Sequence, residues 1–62
     1  MNLKRFKVMS INSGAYVIVY AKNSFQAAED AHNEAHLKYP VRVWLVNSFG
    51  HEIETSISSF SK

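Results

Sequence analysis

Apolar positions change their period along this chain, and the changes divide it into elements. Residues 3–11, LKRFKVMSI, alternate loosely and are rich in strand formers, which predicts a first strand. Asn12, Ser13 and Gly14 supply turn chemistry, since Asn and Gly tolerate positive φ and Ser bonds locally to backbone. Residues 15–21, AYVIVYA, are β-branched and aromatic, and predict a second strand forming an antiparallel hairpin with the first. Over 25–38 the period lengthens to that of a helix, with Ala27, Ala28, Ala31 and Ala35 in a stripe that Phe25 and Leu37 or Tyr39 extend. Asn23 or Ser24 can cap it, Gln26 stands at capping-box distance from Asn23, and Pro40 cannot continue it. Glu29 and Asp30 toward its start and Lys38 near its end follow the sense of the helix dipole.

Residues 41–46, VRVWLV, predict a third strand with Val41, Val43 and Leu45 on one face and Arg42, Trp44 and Val46 on the other. A turn over 47–50 leads to HEIETSI at 51–57, where Ile53, Thr55 and Ile57 alternate with Glu52, Glu54 and Ser56. That is a short strand at a sheet edge, with charges that discourage edge pairing. The whole of 1–62 reads as a single domain in which 58–62 fray unless Phe60 docks. The fold class is α+β: one helix packed on one face of a three- or four-stranded antiparallel sheet, in the order β-β-α-β with a fourth strand. Because one helix covers one face only, the unit spanning 17–46 organises the rest.

Hairpin register decides which residues share that covered face. With an even-numbered loop, Phe6 and Val8 join Val17, Val19 and Ala21, leaving Arg5, Lys7, Met9, Ile11, Tyr16, Ile18 and Tyr20 opposite. A three-residue loop with a bulge would place Phe6 with Tyr20 instead. The even loop is preferred, since a small residue at 21 suits a chain turning in beneath a helix.

Composition narrows the class. The chain has 62 residues, is 47% hydrophobic and 19% charged, and lacks cysteine, so disulfide and thiolate-zinc supports are excluded. Its net charge of +2 is mild for a nucleic-acid binder. Apolar runs are too short to span a bilayer, and MNLKRFKV is not followed by a signal-peptide core. A cytoplasmic protein is expected.

Candidate chemistry is sparse. His32 and His36 share a helix face with Glu29, and His51 could add a ligand, but the order His32-Asn33-Glu34-Ala35-His36 is not the zinc-protease motif. A solvated helix face is the simpler reading. The carboxylates and serines form no acid–base pair or nucleophile elbow, and neither glycine opens a phosphate loop. The expectation is a non-enzyme without cofactor or metal. The outward sheet face carries more information: Arg5, Lys7, Met9, Tyr16, Ile18, Tyr20, Arg42 and Trp44 are of types enriched at interfaces. A host protein is the expected partner, with nucleic acid and a homodimer as alternatives and no membrane. Replacing Trp44 and Arg42 together is expected to remove binding and leave the fold intact.

The stretch YAKNSFQAAEDAH at 20–32, between a strand and VRVWLV, resembles the small RNA polymerase inhibitors of short-tailed coliphages. The shared features are Tyr20 and Ala21 at a strand end, then Ala28, Glu29, Asp30 and Ala31 on a helix. That resemblance implies a strand–strand–helix–strand fold and a phage protein that takes over its host by inhibiting it. In that family a pair of third-strand arginines contacts the polymerase; here Arg42 corresponds to one, and Trp44 occupies a neighbouring outward site. The architecture is also similar to phage antitoxins that block a host RNase toxin and to some anti-CRISPR proteins. The implied function is stoichiometric inhibition of a host macromolecule, with a nucleic-acid-binding module as the alternative.

Overall fold

The computed structural model describes residues 3–47, 49 and 51–61, the side chains of 52–56 excepted. The elements run β1 (Lys4–Ser10), β2 (Tyr16–Ala21), α1 (Ser24–Ala35), β3 (Val41–Val46) and β4 (Glu52–Phe60). They form one antiparallel sheet of four strands in the order β2-β1-β3-β4, with the helix on one face. Since β2 and β3 both run antiparallel to β1, they are parallel to each other with β1 between them.

The hairpin takes the even register. Phe6 faces Val19 and Val8 faces Val17, while Lys7 faces Ile18 and Met9 faces Tyr16. Ser10 N donates to Ala15 O at 2.8 Å, closing a loop over 11–14, and Gly14 N donates to Ser10 O at 2.8 Å. That loop needs a left-handed residue, and Gly14 provides it at φ 76° without the cost a Cβ would bring. Ile11, expected on the outer face, falls in this loop instead.

Beneath the helix, Ala27, Ala28 and Ala31 are buried against Phe6, Val8, Val41 and Val43, with Val17, Val19 and Leu45 packed at the margin. Methyl-sized side chains let the helix backbone approach the sheet, so the apolar contact comes from the strand residues. Phe25 does not extend the stripe; it is exposed, with its ring edge-on to Phe60 at 6.0 Å between centroids.

Asn23 is the N-cap, its Oδ1 accepting from Gln26 N at 2.8 Å. The box is not reciprocal: Gln26 turns its amide nitrogen forward to Asp30 Oδ1 at 2.9 Å. Glu29 and Asp30 lie past the first turn, which holds no acid. The helix ends at Ala35, short of the expected Lys38. His36 adopts the left-handed conformation, φ 59° and ψ 30°, and Leu37 N donates to Ala31 O at 3.3 Å. The helix stops at a left-handed residue, with histidine where glycine is usual. Leu37 then turns into the core, and a cis Tyr39–Pro40 peptide leads to β3. Ser10, buried at the end of β1, donates from Oγ to Lys38 O at 2.9 Å, and Ile11 N donates to Pro40 O at 3.0 Å.

After β3, Asn47 Oδ1 accepts from Phe49 N and His51 N, both at 2.9 Å, which builds the expected turn; Ser48 and Gly50 lie outside the described residues. The expected fraying over 58–62 does not extend to Ser58–Phe60, which complete β4. Phe60 pairs with Val41 and meets Phe25, and those contacts hold the strand end down. Lys62 lies outside the described residues, as do the side chains of the expected alternation over 52–56. The ladder of β3 with β4 shifts register between Val43 and Leu45, where Val43 faces Ser58 and Leu45 faces Ile53.

Candidate interaction surface

Strand parity places Arg5, Lys7 and Met9 of β1, Tyr16, Ile18 and Tyr20 of β2, and Arg42, Trp44 and Val46 of β3 on the face away from the helix. All eight candidate residues are thus brought to one surface. They are not equally available. Tyr16, Ile18 and Tyr20 keep 58%, 46% and 56% of their surface exposed, and Arg42 is exposed as well. Arg5, Lys7 and Met9 are half-buried.

Trp44 departs from the expectation. It lies on the outer face yet is only 9% exposed, and its neighbour Val46 is 8% exposed. Neither belongs to the core beneath the helix. The register break in the adjoining β4 falls beside Trp44, where a regular ladder would have continued past it. A buried indole contributes mainly to stability, so the paired replacement of Trp44 and Arg42 is not a test of binding alone.

Cations interleave with the rings. Lys7 Nζ sits 4.7 Å from the Tyr16 ring centroid and 5.2 Å from that of Trp44, between the exposed and the buried ring. Arg5 holds its guanidinium 5.6 Å from the Tyr20 centroid, and its Nε donates to Tyr20 Oη at 3.2 Å. Such contacts stabilise by about 0.5–1 kcal/mol at exposed sites, which favours these ring orientations by a few-fold. Alternation along β1 and β2 places each cation opposite an apolar residue or a ring, as the pairs Lys7–Ile18 and Arg5–Tyr20 show.

A second feature had no counterpart in the sequence reading. Along the free side of β2 runs an open groove of about 480 Å³, lined by Val17, Val19 and Tyr20 of the strand and Asp30 and Glu34 of the helix. Asp30 and Glu34 are one helical turn apart, so their spacing puts them on one side of the helix, and the fold turns that side toward the edge strand.

The histidines take other roles. His32 donates from Nδ1 to Leu37 O at 2.8 Å, and its ring lies 4.8 Å from that of Tyr39. It fastens the end of the helix to the segment that leaves it. Among the described residues no three His, Asp or Glu side chains gather to hold a metal ion. No helix among them is long and apolar enough to cross a membrane. Comparison with known proteins returns no matching family model, no matching curated protein and no matching solved structure.

Proposed function

We propose that this is a small non-catalytic binding protein that inhibits or modulates a macromolecule by stoichiometric contact through the outer face of its sheet. The observation that carries the reading is the row Tyr16, Ile18 and Tyr20, three large exposed side chains on an edge strand beside Arg5 and Lys7. Exposed apolar side chains grouped on a small protein mark contact sites, and Tyr and Arg are the residues that anchor them. Arg42, at the far side of the face, adds a second charged anchor. In line with the resemblance, the partner is a host protein, such as RNA polymerase or a defence protein, met by a phage-encoded inhibitor in the host cytoplasm.

Nucleic acid is the second reading, favoured by the mixture of rings and cations. Against it, Arg5 and Lys7 already occupy positions over the Tyr20 and Tyr16 rings, where a base would stack. Affinity capture from bacterial lysate, with and without nuclease, separates the two. The expected result is one protein retained near one-to-one, indifferent to nuclease, and lost when Tyr16 and Tyr20 are both replaced by Ala. Retention that disappears with nuclease and falls steeply with salt would transfer the function to nucleic acid.

A further inference from the structure

An antiparallel ladder alternates between pairs that exchange backbone hydrogen bonds and pairs that do not. The Ser10 N to Ala15 O bond fixes the phase of the β1–β2 ladder. Residues 15, 17, 19 and 21 of the second chain segment bond to β1, so the amides and carbonyls of Tyr16, Ile18 and Tyr20 point away from the sheet. β2 is the end strand in the order β2-β1-β3-β4, and it contains no charge, no proline and no glycine. Charge and proline are among the devices by which sheet edges avoid pairing, and this edge lacks both.

The two sides of that edge differ in sign. Toward the helix, the groove beside Val17 and Val19 is bordered by the carboxylates of Asp30 and Glu34. Toward the outer face, Tyr16, Ile18 and Tyr20 stand in front of Arg5 and Lys7. A strand added about 4.8 Å outside β2 would place alternate side chains in these two surroundings.

We propose that the free edge of β2 takes an added strand from a partner protein: an extended segment with Lys or Arg on the helix-facing side and apolar residues on the other. The inference rests on the binding role above and gives the partner a shape. Cationic side chains meet Asp30 and Glu34, apolar ones meet Tyr16, Ile18 and Tyr20, and main-chain bonds form with the same three residues. A second copy of this chain fits less well. Antiparallel pairing of two β2 edges about a two-fold axis sets both helices on the same side, which turns Asp30 and Glu34 of each copy toward those of the other.

The test titrates the intact protein with a capped peptide of alternating Lys and Val and follows backbone amide exchange by NMR. Exchange at Tyr16, Ile18 and Tyr20 should slow at least about tenfold, with Val17 and Val19 little changed. A Glu–Val peptide, and a Lys–Val peptide N-methylated on its pairing edge, should leave all three unaltered. Asp30→Asn with Glu34→Gln should weaken the peptide about three- to tenfold at low salt. Ile18→Pro should abolish the response, because it deletes an outward amide without breaking a ladder bond, whereas Ile18→Val should retain it.

Equal protection by the Glu–Val peptide, or an unaltered response in Ile18→Pro, overturns the proposal. Protection that appears without peptide and grows with protein concentration also overturns it, in favour of self-pairing. The binding role fails separately. If lysate capture needs Tyr16 and Tyr20 but tolerates Ile18→Pro, the edge proposal falls and the role stands. If the peptide pairs but no protein is captured, the role falls and the edge chemistry stands.

Discussion

The two flanks of the outer sheet face are built from similar residues and treated differently. On the β2 flank, Tyr16, Ile18 and Tyr20 lie open at a regular, uncharged edge. On the β3 flank, Trp44 and Val46 are closed off beside a strand whose register breaks and whose sequence carries Glu52 and Glu54. Charge and irregularity are the usual protection of a sheet edge, and here only β4 has them. Apolar character alone therefore does not identify the contact surface. Among the described residues, only the β2 flank adds an outer backbone edge beside exposed rings, which is why the proposed contact is placed there.

Replacing Trp44 tests the closed flank and should have the largest effect. Trp44→Ala is expected to cost about 3–5 kcal/mol, the range for a buried aromatic. A chain of this size has only about 3–9 kcal/mol in total, so chemical denaturation should find that the variant has lost roughly half or more of its stability. A loss below about 1 kcal/mol would show that Trp44 is a surface residue after all.

Lys7 links the flanks, its ammonium lying between the Tyr16 and Trp44 rings. Lys7→Met keeps the stem and removes the charge, and should lower stability by about 1 kcal/mol in a denaturant titration. His36→Gly acts away from both flanks and serves as a control. Relief of the left-handed histidine should raise stability by about 1 kcal/mol with no change in capture. Tyr20→Ala, which removes the exposed Arg5 contact, should lower stability by only about 0.5–1 kcal/mol, although the capture experiment should register it clearly.

Local patterns made much of this arrangement legible in the sequence. The run VRVWLV between Pro40 and Asn47 corresponds to β3 at both ends, and the small residue at 21 pointed to the even hairpin register. Parity then placed all of the candidate residues on the correct face. What escaped depends on contacts distant in sequence. Helix termination at Ala35 follows from a histidine in a conformation that composition does not announce. The extent of β4 depends on Phe60 reaching Val41 and Phe25. Burial of Trp44 was invisible because parity assigns a face and says nothing about what lies beside it. The acidic groove joins residues of the edge strand and the helix that are distant in sequence, so no local pattern announces it.

The central claim is that β2 presents a backbone edge, unpaired among the described residues, next to exposed rings. Native-state hydrogen exchange of the protein alone, resolved along Tyr16–Ala21, addresses it most directly. The account predicts alternation, with Tyr16, Ile18 and Tyr20 exchanging at least about tenfold faster than Val17 and Val19. Uniform protection across the strand would mean that the edge is already covered, and would contradict it.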